Sequence, residues 1–165
     1  MIREATAADW PNIWPIFREI AKAGDTYAYP TDINTAEAEH LWMTLPVRTY
    51  VLEREGQIVG TYYIKENQSG PGNHVCNCGY MVASHARGSG VARSMCEHSQ
   101  VVAVKLGFLA MQFNFVASSN EPAVALWQTL GFDIAGTLPA AFNHPERGFV
   151  DAYVMYKSLA GWQVD

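Results

Sequence analysis

Apolar residues along this chain switch between two periods, and the switches mark its elements. Residues 2–5 read as a short first strand. Thr6, Ala7, Ala8 and Asp9 supply a helix start, and Ile13, Ile16, Phe17 and Ile20 follow at helical spacing. Pro11 suits a first turn, whereas Pro15 distorts the next one. Residues 24–34, with Tyr27, Tyr29, Pro30 and Asp32, form a loop. The next helix is expected over 35–44, with Glu37 and His40 exposed and Leu41 and Trp42 partly buried. Runs at 49–53 and 57–65 flank Glu55-Gly56 as a hairpin. After a loop at 67–73 carrying Gly70-Pro71-Gly72, a strand at 74–82 runs into a glycine-rich turn. A helix over 91–105 ends before Gly107. A strand at 109–116, a helix at 122–130 opened by Asn120 and Pro122, and strands at 132–136 and 148–156 complete the chain. No repeat, low-complexity tract or linker interrupts it. The order β-α-α-β-β-β-α-β-α-β-β predicts a mixed α/β sheet rather than a regular βαβ repeat.

At 165 residues, 49% hydrophobic and 16% charged, the chain reads as one globular domain over 1–165 with a real core. A net charge of −5 without a basic run argues against nucleic acid as a partner. The apolar runs are too short for a spanning helix, so no membrane partner is expected. Met1-Ile2-Arg3-Glu4-Ala5 carries an acid early and lacks the apolar core of a secretory signal, which favours a cytoplasmic location. Three cysteines, Cys76, Cys78 and Cys96, then read as free thiols. His74-x-Cys76-x-Cys78 has a metal-like look, but period-two spacing places the three on one strand face, and no second cluster completes a site. No metal is expected.

The candidate chemistry centres on Ser84-His85-Ala86-Arg87-Gly88-Ser89-Gly90-Val91-Ala92. A glycine-rich turn opening a helix lets backbone N–H groups converge on a phosphate or diphosphate. A Walker loop would need Lys-Ser/Thr after the last glycine, where Val91-Ala92 stand. A dinucleotide fingerprint would need a small residue where Arg93 stands. What remains is Arg-x-x-Gly-x-Gly/Ala, met by Arg87, Gly90 and Ala92, which resembles the acetyl-coenzyme A loop of the GCN5-related N-acetyltransferases. A second block, Asn120-x-x-Ala123-x-x-Leu126-Trp127-x-x-x-Gly131-Phe132, resembles the same family; Asn120 taken alone reads first as a helix cap, and the loop upstream turns the reading toward the family. The stretch from Met111 to Val116, Ser119-Asn120, and Gly136-x-x-Pro139-x-Ala141-Phe142 are similar to a narrower group, the fungal acetyltransferases that act on azetidine-2-carboxylate.

This resemblance implies a mixed, mostly antiparallel sheet flanked by helices, with two central strands splayed where the thioester enters. It implies acetyl-CoA as co-substrate and a small amino or imino acid as acceptor. Arg87, Gly88, Ser89, Gly90, Val91 and Ala92 would hold the diphosphate, and Asn120 the pantetheine arm. A backbone N–H of Met81 or Val82 would polarise the thioester. Asn77 would orient the nucleophilic nitrogen and Asn114 hold the acceptor carboxylate. Tyr27, Tyr29 and Trp42 would line the acceptor pocket, with His144 and Glu146 on its far side or in a plain solvated loop. A homodimer is implied by the same analogy. A phosphinothricin-like acceptor, a peptide α-amine, and a non-catalytic acyl-CoA sensor remain as alternatives.

Two features depart from the family pattern. The strand reading His74-Val75-Cys76-Asn77-Cys78-Gly79-Tyr80 lacks the glutamate often found there, and Trp127 stands where relatives carry a proton-donating tyrosine. Deprotonating a lysine-like amine of pKa about 10.4 at pH 7 would cost roughly 4.6 kcal/mol, against about 1 kcal/mol for a peptide α-amine near 7.7–8.0. A water chain or Asp25 is left to take the proton.

Overall fold

A computed structural model describes residues 1–162. Its strands are β1 (Ile2–Glu4), β2 (Arg48–Arg54), β3 (Gln57–Glu66), β4 (Val75–Val82), β5 (Ala110–Ala117), β6 (Asp133–His144) and β7 (Gly148–Ser158). Its α-helices are α1 (Trp10–Ala23), α2 (Thr35–Glu39), α3 (Val91–Lys105) and α4 (Glu121–Thr129). The seven strands form one sheet in the order β1-β2-β3-β4-β5-β7-β6. Every neighbouring pair is antiparallel except β4 and β5. The mixed, mostly antiparallel architecture agrees with the sequence.

The period-3.6 stripe of α1 buries Ile13, Ile16, Phe17 and Ile20, and Gly24 ends the helix in the left-handed region with its N–H on the Ile20 carbonyl. This stripe packs with Trp42, Val51, Tyr63 and Met81 on one face of the sheet. The other face carries α3 and α4 over Ile64, Cys76, Cys78, Met111 and Phe113. Alternation along β4 thus sends Asn77, Gly79 and Met81 toward α1, and Cys76, Cys78 and Tyr80 toward α3. Helix α3 comes so close to β3 that a Cβ on Gly60 would lie 2.7 Å from Val91 Cγ1.

Three expectations need correction. The helix expected over 35–44 is α only to Glu39 and continues as a π-turn over His40–Thr44. That turn carries Trp42 fully into the core, where its indole N–H donates to Thr61 Oγ1 at 3.0 Å. The strand expected over 132–136 runs on to His144. Pro139 is tolerated because β6 is an edge strand, and two register shifts, with Ala140 at φ 50°, absorb the irregularity. His74 precedes β4 and is exposed, so it does not share the buried face of Cys76 and Cys78. No helix among the described residues is long and apolar enough to cross a membrane.

Candidate active site

The parallel pairing of β4 and β5 lasts for two positions, Val75 with Ala110 and Cys76 with Met111. Beyond them the strands diverge around a cleft of about 1030 Å³ that reaches from Lys65 and Asn77 at one end to Arg87 and Gly90 at the other. Where the ladder stops, the Asn77 side chain continues it: Nδ2 donates to the Gln112 carbonyl at 2.9 Å.

At the loop end, Gly88 has φ 72° and Gly90 φ 84°. A Cβ on either would meet nothing within 4 Å, so glycine is required there by backbone conformation and not by space. The first bond of α3 runs from the Ser94 N–H to the Gly90 carbonyl. The N–H groups of Val91, Ala92 and Arg93 therefore have no acceptor inside the helix and open toward the loop. Arg87 lines the cleft and pairs loosely with Glu19 at 3.6 Å. Ser89 differs from its expected role: its hydroxyl donates to the Ala86 carbonyl at 2.6 Å and accepts from Arg54 at 2.7 Å, bracing the loop from behind.

Strand alternation separates the two amides proposed for the thioester. The Ala83 N–H donates to Val59 on β3, so two residues back the Met81 N–H also faces β3. Met81 is buried on the α1 side and is corrected as a cleft residue. The Val82 and Tyr80 amides face the open side, and Val82 lines the cleft. Tyr80 has a provisional partner: its N–H donates to the Tyr27 hydroxyl at 2.7 Å, which donates back to the Tyr80 carbonyl at 2.8 Å. Asn120 starts α4 without a side-chain cap bond and faces the cleft, so the cap reading is not what its carboxamide does.

At the other end, Tyr63 donates to Asn77 Oδ1 at 2.9 Å. Asn114 is exposed on β5, accepting from Gln112 Nε2 at 2.9 Å and donating to Asn67 at 2.6 Å. Gln112 thereby ties both asparagines together, through its carbonyl and its side chain. Each NH₂ group still has one donor to spare. Tyr27 and Tyr29 line the cleft and stack with centroids 5.5 Å apart, whereas Trp42 stands behind them in the core. His144 ends β6 and accepts from the Glu146 and Arg147 amides; both residues lie in the hairpin tip outside the cleft. Tyr63, Lys65 and Gln112 were not singled out from sequence; the available signal was polar residues breaking otherwise apolar strands.

Burial raises the pKa of Tyr27, Tyr63 and Tyr80 and pushes Tyr29 up to about 12, so these phenols stay protonated at neutral pH. Burial also pushes the Cys78 thiol up, which keeps it a poor nucleophile beside the cleft. Trp127 packs against Tyr80 and Phe113 at 5.1 and 5.2 Å and forms a wall. Among the described residues, no group of three or more His, Cys, Asp or Glu side chains is placed to hold a metal ion.

Residues 10–132 match the model of the acetyltransferase (GNAT) family. The chain belongs to that family. The GNAT match is supported by a structure of a GCN5-related N-acetyltransferase from Kribbella flavida, 45% identical over 96% of each chain with a TM-score of 0.91. A ribosomal-protein-alanine N-acetyltransferase from Brucella melitensis is 26% identical, covering 96% of this chain and 99% of that one, with a TM-score of 0.85. Among curated proteins, N-acetyltransferase aca1 of Schizosaccharomyces pombe is 32% identical over 107 residues, 64% of this chain and 51% of the relative. The chain thus spans about half the length of that curated relative. Within this GNAT chain, the family match begins at α1 and ends at Phe132, so it takes in the cleft and leaves out β6 and β7.

Proposed function

We propose that this chain, as one domain over 1–165, transfers an acetyl group from acetyl-CoA to the amine of a small amino or imino acid by direct attack in a ternary complex. The observation that carries this reading is the coincidence of an anion-binding loop and an unzipped pair of strands in one cleft. The loop amides of α3, the Arg87 guanidinium, the spare Val82 N–H and the unbonded Asn120 carboxamide fit a diphosphate followed by an amide-bearing arm. Acetyl-CoA supplies an electrophilic thioester carbon when bound.

The protein's own part is placement and hydrogen bonding. The Asn77 carboxamide, fixed by Tyr63 and Gln112, has one free lone pair to align an amine, and Asn114 a free N–H for a carboxylate. As the amine nitrogen bonds to the acetyl carbon, the C–S bond breaks. The proton lost from nitrogen balances the one taken up by the departing thiolate. Asp25 lines the cleft and is exposed, so it can pass that proton to solvent. With Trp127 unable to donate a proton, the thiolate, near pKa 8.5 intrinsically, leaves with water as its acid. A cytoplasmic location and a homodimer belong to the same proposal. Exposed Ile134 and Leu138 on the β6 edge and Phe149 on β7 fit an apolar contact between copies.

Calorimetry with CoA and a thiol-release assay over amino and imino acids test the reading together. Asn114→Ala is expected to lose acceptor turnover and keep CoA binding. No heat on adding CoA would refute it, and CoA binding without acceptor-dependent release would leave a sensor.

A further inference from the structure

Lys65 sits directly opposite Asn77 in the β3–β4 register, on the same face of the sheet and on the wall of the cleft. Its ammonium lies over the Tyr63 ring at 5.3 Å. Among the described residues it has neither a hydrogen-bond acceptor nor a carboxylate at ion-pair distance. The chain carries a net charge of −5, yet the charged residues lining this cleft are Lys65, Arg87 and Arg93 against Asp25 alone. Arg87 and Arg93 belong to the loop end. From Asn77 to Val82 is five residues of strand, about 17 Å at roughly 3.4 Å each. Lys65 is therefore too far from the loop to serve a diphosphate, and it lies at the Asn77 end of the cleft.

We propose that Lys65 anchors the acceptor's carboxylate, so that the cleft selects free amino and imino acids over peptide N-termini, amino-acid amides and polyamines. The proposal rests on the acetyl-transfer reading above and adds its charge selectivity. Three donors on the cleft wall are then available to one anion: the Lys65 ammonium and the spare N–H groups of Asn77 and Asn114. Cations without an anion beside the amine are repelled by the same charge. The pairing also bears on the missing glutamate. A free amino acid holds its ammonium proton more tightly than a peptide α-amine because its own carboxylate is adjacent. Neutralising that carboxylate with Lys65 brings the amine toward the peptide value of about 7.7–8.0, with Asp25 the one acidic side chain on the cleft wall and Tyr27, Tyr29 and Tyr63 protonated.

The test compares proline and alanine with prolinamide, alaninamide and an alanyl dipeptide by thiol release, in wild type, Lys65→Gln and Lys65→Arg. In wild type the free acids are expected to exceed the amides in kcat/KM by roughly tenfold or more. Lys65→Gln is expected to lower the free-acid value by roughly 10–100-fold, mainly through KM, and to leave the amides within about threefold. Lys65→Arg should restore most of the loss. CoA affinity by calorimetry and the thermal midpoint should be unchanged in both variants, which separates this effect from misfolding. A wild-type preference for amides or the dipeptide, or an equal loss for acids and amides in Lys65→Gln, would overturn the role of Lys65 and leave acetyl transfer standing. No release with any of the five acceptors would overturn acetyl transfer to amino acids, and this proposal with it.

Discussion

Replacing Gly79 by alanine should weaken acceptor binding through the ring it faces on the neighbouring strand. Gly79 pairs with Tyr63 across β3 and β4, and a Cβ there would lie 2.6 Å from Tyr63 Cε1 and 3.0 Å from Cζ. The ring cannot easily retreat. It is buried, and Trp42, itself fully buried, meets it edge-on with centroids 4.9 Å apart. Overpacking of this kind costs about 1–3 kcal/mol. At about 2–4 °C per kcal/mol for a chain of this size, the thermal midpoint should fall by roughly 2–12 °C. The functional part follows from the hydroxyl at the ring's end, which holds Asn77 Oδ1. Once the ring is displaced, Asn77 loses the bond that fixes its orientation, worth about 0.5–1.5 kcal/mol, or roughly 2–13-fold in acceptor kcat/KM. Differential scanning calorimetry gives the first quantity and thiol-release kinetics the second. CoA affinity should stay unchanged, because the loop is remote from Gly79. A Gly79→Ala protein with wild-type midpoint and wild-type acceptor kinetics would refute the reasoning.

Gly90→Ala forces an alanine to φ 84° in open space, a backbone strain of about 1–2 kcal/mol; as the free loop relaxes out of that conformation and CoA binding must restore it, the affinity measured by calorimetry should fall by about fivefold or more. Tyr27→Phe strips the partner from the Tyr80 N–H and carbonyl, and is expected to destabilise the ligand-free protein by about 1–3 kcal/mol in denaturant titrations, with a smaller loss when an acyl-CoA is present. Asp9 is held well below the usual carboxylate range by the Arg3 guanidinium and by the Thr6 amide and hydroxyl. Because its folded pKa is depressed, its contribution is complete above the unfolded value near 3.9 and is lost as pH falls below it. Asp9→Asn should therefore lower the midpoint at pH 7, and the gap from wild type should shrink as the pH is taken below about 3.9.

The loop was readable because glycines at fixed offsets before a helix have a single physical use; Gly88 and Gly90 both adopt positive φ. Asn120 was readable only as part of the block that ends in Gly131-Phe132; that its side chain makes no cap bond is seen in the structure alone. The roles of Tyr63, Lys65 and Gln112 come from register. Nothing local tells which residue of β3 stands across from Asn77 or Gly79, and the Asn77–Gln112 bond joins residues 35 apart in the chain. Trp42 misled because its helix widens into a π-turn, which changes the angular step per residue and turns the indole inward. The length of β6 was hidden by Gly136 and Pro139, which usually end a strand but are tolerated at an edge with bulges. Met81 and Val82 are separated by pleat parity, which needs one known hydrogen bond to set its phase.

The brief meeting of β4 and β5 has a mechanical corollary. Apart from it, the Asn77 strut and the helical packing, β1–β4 and β5–β7 are two separate hairpin-like halves, each zipped internally. A molecule lodged in the gap and bonded to both strands would act as the absent rung, fastening the halves into one cooperative block. Amide exchange at Cys78, Tyr80, Gln112 and Val116 should then slow in concert on saturation, including at positions no ligand atom touches.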